Sequence, residues 1–190
     1  MISADYEFRF LNASLEILED YLKSNDLYWS TGAQPPAGGA SYPQLTLGAL
    51  LLALLNASAH VQTPAEENEL ARISDQLGEI RNEWRAAWEK KASHEFRARL
   101  NLWSNFIEDY REDKSANFDR FAYEVGRRVQ LHLIAPYASG VSPAEFALLE
   151  QLDRLLKAVW QPGEFVWSAE LADVFPPDPY WYLYGRLPAE

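Results

Sequence analysis

The chain has no cysteine. Disulfides, thiolate metal ligands and cysteine nucleophiles are therefore excluded, and the absence suits a reducing compartment. Histidine is scarce, at three residues. The positions three before His60, His94 and His132 are Ala57, Lys91 and Val129, so the Glu-x-x-His pattern of di-metal bundles is missing. His94-Glu95 is followed by Phe96, Arg97 and Ala98, which is not the zinc-protease spacing. Spacing alone leaves a three-histidine zinc site open, but lone histidines more often serve structure. No metal or other cofactor is expected.

Positive charge is also in short supply. Lys and Arg number 17 against 28 Asp and Glu, for a net charge of -11. Such a surface repels phosphate backbones and anionic lipid, so neither nucleic acid nor membrane is expected as a partner. One basic stretch exists: Arg81, Arg85, Lys90, Lys91, Arg97 and Arg99, interleaved with Trp84, Trp88 and Phe96. Glu79, Glu83, Glu89 and Glu95 lie among these bases at or near i,i+4 spacing, which reads as a mixed helix surface. The most apolar run, Leu45 to Leu55, is shorter than the ~20 residues of a spanning helix. Residues 1–7 show no basic stretch followed by an apolar one, so no secretion signal is expected. An acidic, soluble, cytoplasmic protein is the expectation.

Signatures of nucleophilic catalysis are absent too. There is no Gly-x-Ser-x-Gly elbow, and Gly38-Gly39 lacks the Lys-Ser or Lys-Thr of a phosphate loop. Paired glutamates can hold magnesium, and Glu66, Glu67 and Glu69 invite that reading. They sit in the first turns of a predicted helix, where acidic side chains favour the dipole. Glu108, Asp109, Glu112 and Asp113 read as a solvated cluster at a helix end.

What the chain does contain is helical periodicity. Leu11, Leu15, Leu18 and Leu22 predict a first helix, beginning at Asp5 or Asn12 and ending near Ser24. Residues 26–43 carry Gly32, Pro35, Pro36, Gly38, Gly39 and Pro43 and predict a long loop. Leu27, Tyr28 and Trp29 are expected to pin that loop to the core. Leu47, Leu50, Leu51, Leu54 and Leu55 predict a central helix ending near His60, buried on most sides.

Thr63-Pro64-Ala65-Glu66 is a capping box with proline at the first helical position. Behind it Leu70, Ile73, Leu77, Ile80 and Trp84 recur three and four apart, and Phe96, Leu100, Trp103, Phe106, Ile107 and Tyr110 resume the pattern. A single helix over 65–112 would be about 70 Å long, so a break is expected in the polar stretch Glu89 to His94, with Ser93 as a cap. A further helix is predicted over 116–134, stopped by Pro136. Ser142-Pro143-Ala144-Glu145 opens another through Val159. From Gln161 the character changes: Pro162-Gly163 should break the chain, Phe165-Val166-Trp167 should be extended, and Ser168 should cap a short turn. The apolar tail should wrap back over the bundle. The fold expected is all-α, a bundle of five to seven helices over 1–160 with an irregular aromatic segment over 161–190.

Aromatic residues make up 14% of the chain, and they are its best functional hint. Trp84 and Trp88 lie one turn apart, and Tyr180, Trp181 and Tyr184 form a dense run. Packing in core and tail is the plain account. The sharper one is an interface, since Trp and Tyr are favoured at binding hot spots. A groove between helices for an apolar small molecule is a third account.

The segment Asp20-Tyr21-Leu22-Lys23-Ser24-Asn25-Asp26-Leu27-Tyr28-Trp29, with Tyr42-Pro43-Gln44-Leu45-Thr46-Leu47-Gly48 after it, resembles segments of uncharacterised bacterial proteins. The resemblance covers about the first quarter of the chain, implies a bacterial origin and supplies no catalytic residue. The expected function is a non-catalytic interaction subunit or adaptor that binds another protein or itself as a homodimer. The alternative is an enzyme or small-molecule-binding bundle with a site between helices, built for instance on His132 with Glu124 or Arg128.

Overall fold

The computed structural model describes residues 4–190. Its first helix, α1 (Ala4–Lys23), buries the expected stripe of Leu11, Leu15, Leu18 and Leu22. Its buried face is wider than the leucines alone, taking in Glu7, Phe10, Ser14 and Tyr21 as well.

The long loop that follows is fastened at several points. The Tyr21 hydroxyl donates to the Leu27 carbonyl at 2.9 Å. Trp29 and Leu45 exchange backbone hydrogen bonds at 3.2 and 2.7 Å, closing the loop as an isolated antiparallel bridge. The Tyr42 hydroxyl donates to the Tyr6 carbonyl at 2.8 Å. Trp29 packs edge-on against Tyr21, so it pins the loop as expected. Tyr28 does not: extended backbone alternates its faces, and with Trp29 turned inward Tyr28 is left 46% exposed.

Helix α2 (Leu47–His60) starts at Thr46, whose hydroxyl accepts from the Ala49 N–H. Its first turn is wholly buried, while Leu51, Leu52, Leu54 and Leu55 are only half-buried. It sits against α1 on one side and against the helix over 121–134 on another. The capping box is formed as expected: Thr63 accepts from Glu66 N–H, and Glu66 reaches back to the Thr63 N–H. Helix α3 (Pro64–Glu83) then rests its one apolar edge, Ile73, Leu77 and Ile80, on the bundle.

The break expected at residues 89–94 lies instead at Trp84, with φ -102 and ψ 30, and α4 (Arg85–Glu112) runs unbroken through the polar stretch. The reason is tertiary. Lys91 donates to the Ser24 and Asp26 carbonyls at 2.9 and 2.7 Å and lies over the Tyr21 ring. Ser93 is no cap; its hydroxyl donates to Glu89 O and accepts from Gly140 N–H. Polar residues that looked like a helix end therefore face partners on other segments.

The expected helix over 116–134 is divided into α5 (Lys114–Asn117), a 3-10 turn Phe118–Arg120, and α6 (Phe121–Ile134). Pro136 falls in the 3-10 turn Ala135–Tyr137 that ends it. Helix α6 lies along α4. Ser142 and Glu145 form the second capping box at the start of α7 (Pro143–Val159).

Beyond α7, Pro162-Gly163 does not break the chain. It lies in strand β1 (Gln161–Phe165), paired antiparallel with β2 (Tyr184–Arg186) through an irregularity between Pro162 and Phe165. Proline is tolerated there because a two-stranded ribbon has only edges. The pairing depends on Gly185, where a Cβ would lie 2.3 Å from the Gln161 carbonyl and 2.4 Å from the Trp160 ring. Between the strands, a 3-10 turn Ala169–Val174 packs on α2, followed by α8 (Pro177–Tyr180). Phe175, Tyr182 and Leu183 are fully buried, and Tyr110 donates to the Pro188 carbonyl at 2.8 Å. The tail is thus part of the core. The fold is all-α apart from this small ribbon, with six helices of 14 residues or more among the described residues. Among the described residues no helix is long and apolar enough to cross a membrane.

Candidate functional site

The aromatic residues singled out in the sequence are engaged within their own chain. Trp88 is 1% exposed and meets Tyr137 edge-on, with centroids 5.9 Å apart. Trp84 is half-buried beneath the Lys23 ammonium, 4.3 Å from its ring. Tyr180 is buried between His132 and Phe175. Trp181 stacks edge-on against Trp160 under Lys157, and the Tyr184 hydroxyl donates to the Phe175 carbonyl at 2.8 Å. The two tryptophans and the tail cluster contact different neighbours and share none of these partners.

Many of the charged candidates are likewise committed. In the basic stretch, Arg81 donates to the Tyr137 hydroxyl, Arg85 pairs with Glu89, Arg97 with Glu145 and Arg99 with Glu95. Glu66 serves its cap, whose hydrogen bonds hold its carboxyl below the ordinary range. Glu69 is held at about 2 by Arg72 and then Asn12. Asp113 caps α5, and Asp109 pairs with Arg120. Among the described residues no group of three or more His, Asp or Glu is placed to hold a metal ion.

His132, Glu124 and Arg128 do not converge. Arg128 forks onto Asp153 of α7 with two hydrogen bonds of 2.8 Å and lies over the Tyr182 ring. Glu124 turns to Arg120 and Arg127. His132 packs on Tyr180, with its pKa lowered first by burial and then by Arg128. This arrangement anchors the tail to α6 and α7.

A different constellation lies where α1, α2 and α6 meet beneath the Tyr42-Pro43 segment. It surrounds a pocket of ≈ 160 Å³. Glu7, Asn56 and Gln130 supply its polar groups, and Tyr6, Phe10 and Tyr42 its aromatic wall. The Tyr42 ring stands 4.6 Å from Tyr6 and 5.5 Å from Phe10, centroid to centroid. Glu7 is 4% exposed, and its carboxyl accepts from Asn56 Nδ2 at 3.2 Å. Among the described residues it has no ion pair. Burial raises its pKa to about 7, an effect the Asn56 hydrogen bond offsets only in part. Asn56 Oδ1 and Gln130 Oε1 are buried without a hydrogen-bond partner among the described residues.

Gln130, Pro43 and Ala49 also line a second, outer cleft of ≈ 460 Å³, flanked by Tyr28 and Tyr123. Its floor is a buried charged network at the start of α2. The Gly48 N–H donates to both Glu95 oxygens at 3.0 Å. Arg99 donates through Nε to Glu95 at 2.6 Å and through Nη2 to the Thr46 hydroxyl at 2.8 Å. A carboxylate at a helix N-terminus is favoured by the dipole, and the guanidinium completes its solvation. Gly48 is needed for this approach, because a Cβ there would meet Glu95 Oε1 at 2.6 Å.

Sequence reasoning missed Glu7, Asn56 and Gln130, and it read Glu95 and Arg99 as part of a helix surface where the structure buries them as a pair. A signal for Glu7 existed: it lies four residues before Leu11, on the stripe that continues through Leu15, Leu18 and Leu22. Asn56 and Gln130 carry no such signal, since single amides on helices are common and only tertiary packing brings these two together. No family model matches this chain, no curated protein matches it, and no solved structure matches it.

Proposed function

We propose that this protein binds a small organic molecule in the pocket between α1, α2 and α6. The reading is carried by one observation: among the described residues, a largely apolar pocket holds a buried carboxyl with no ion pair and two buried amide oxygens with no partner. Each unpartnered buried polar group costs about 1 to 3 kcal/mol. A ligand that brings hydrogen-bond donors into the cavity offsets that cost. A largely apolar pocket with a few converging polar groups and a perturbed pKa is the usual form of a ligand site.

The test is a thermal-shift and ¹⁵N NMR screen of the protein against small amines, alcohols, carboxylates and hydrocarbons. Binders should shift resonances of residues lining the pocket and lose affinity in Asn56→Leu. A screen in which no member moves those resonances removes the reading.

A second reading has its own observation. Tyr123 is 78% exposed and Tyr28 46%, and both line the outer cleft. Exposed tyrosines beside Arg127 suit association with another protein or a second copy of this chain. Here Tyr28→Ser with Tyr123→Ser should abolish concentration-dependent dimers in sedimentation, or release a stoichiometric partner, at unchanged stability. A wild-type protein that stays monomeric and purifies without a partner argues against it.

A further inference from the structure

The polar side of the inner pocket is made by the Glu7 carboxyl and the Asn56 and Gln130 amides, and among the described residues Asn56 Oδ1 and Gln130 Oε1 accept no hydrogen bond. Asn56 Nδ2 is already given to Glu7. The opposite wall is aromatic, from Tyr6, Phe10 and Tyr42. Resting on the binding reading above, we infer that the pocket takes a primary ammonium group, whose three N–H donors go to Glu7, Asn56 and Gln130 while its hydrocarbon part lies against the aromatic rings.

The groups left unmet in the lining favour a cation over the other classes. An anion would face a carboxylate and two carbonyl dipoles. A neutral alcohol carries one donor and leaves two of the three acceptors unmet. An ammonium carries three donors and no acceptor, so each of its hydrogens finds an oxygen. Its charge also compensates Glu7, which no cation of the described residues does, and aromatic faces attract cations. Size sets the rest of the ligand. The pocket is ≈ 160 Å³, and a cavity of roughly 150 Å³ holds a benzene-sized molecule. A monoamine with a short alkyl or single-ring body fits this space.

Ammonium binding needs Glu7 ionised, so affinity should rise with pH through the neutral range. The neighbouring groups leave that dependence to Glu7. Tyr6 and Tyr42 are both pushed up by burial and stay neutral phenols. Asn56 of α2 and Gln130 of α6 do not titrate. Asp5 and Arg9 form an exposed pair on α1, and Arg127 of α6 is paired with Glu124.

The experiment is calorimetric or NMR titration of the full chain with benzylamine and with benzyl alcohol, which matches it in size. Titrations are run at about pH 5.5 and about pH 8.5, on either side of the Glu7 midpoint. Benzylamine should bind at least about tenfold tighter than benzyl alcohol at the higher pH, and should weaken about tenfold or more at the lower. Glu7→Gln should remove both the preference and the pH dependence. Gln130→Leu, which leaves Glu7 intact, should weaken benzylamine more than the alcohol and serves if Glu7→Gln does not fold. Equal binding of the two ligands overturns the ammonium inference and leaves the pocket reading standing. Binding of neither at either pH overturns both.

Discussion

Glu95 belongs to α4, yet it caps α2: both of its carboxylate oxygens lie 3.0 Å from the backbone nitrogen of Gly48. The two helices meet at this one carboxylate, and the Arg99 that pairs with it also reaches the hydroxyl of Thr46, the N-cap of α2. The buried pair is thus not isolated charge in an apolar core. It is a capping device supplied from another helix, and it sets the distance between α2 and α4.

Removing either side of this device should be severe. Glu95→Gln leaves Arg99 buried without its counter-charge and should cost about 3 to 5 kcal/mol. Gly48→Ala drives a methyl group against Glu95 Oε1 and should cost about 1 to 3 kcal/mol. Urea denaturation of each single variant and of the double variant measures this. Simple additivity would show that the two residues do not act through one contact.

Glu7 makes stability depend on pH in an unusual direction. Its folded pKa of about 7 lies above the ordinary 4.5, so folding favours the protonated form. Its protonated state is fully compatible with the fold below pH 4.5. Destabilisation sets in as pH rises from there and levels off above about 7. Glu7→Gln keeps the hydrogen bond from Asn56 and removes the charge. It should raise stability by up to about 3 kcal/mol at pH 8, with a Tm higher by several degrees, and by little at pH 4. Thermal denaturation at both values checks it; an equal gain at both would show that the carboxylate is not the cause.

The two tryptophans should separate cleanly. Trp88 is fully buried, so Trp88→Ala should cost about 3 to 5 kcal/mol or unfold the chain. Trp84 is half-buried and covered by Lys23, so Trp84→Ala should cost about 1 to 2 kcal/mol. Tyr123→Ser, at a largely exposed position, should stay within about 0.5 kcal/mol. Similar losses at all three positions would contradict the burial pattern.

The terminal ribbon offers a local test. Gly185→Ala places a methyl group against the Gln161 carbonyl and the Trp160 ring. The β1–β2 pairing should open while the bundle keeps its helicity. Hydrogen exchange and limited proteolysis should then show loss of protection confined to residues 161–190. Unchanged protection there would mean that the ribbon can shift to accept the methyl group.

Much of the fold is legible in the sequence because its signals are local. The capping boxes at Thr63 and Ser142 form as the residues predict, since all their atoms lie within four residues of one another. The leucine stripe of α1 is of the same kind. The helix break is not. Glu89 to His94 has the composition of a helix end, but Lys91 and Ser93 are held by Ser24, Asp26 and Gly140, segments far away in sequence. The ribbon over Pro162-Gly163 is misread for the same reason, because its partner strand begins at Tyr184.

By itself, the sequence determined an all-α chain, where most helices begin, the absence of thiol chemistry and the acidic balance. Each follows from composition or from contacts within about one helical turn, where chain connectivity supplies the neighbour. The tertiary structure alone decided which polar residues are buried and together. Glu7, Asn56 and Gln130 come from three helices, and Glu95 caps a helix it does not belong to. Trp88 and Tyr180, hot-spot residues by composition, are core residues by packing. Such pairings depend on how helices stack, which is settled by the fit of whole faces and leaves no mark at fixed spacing along the chain.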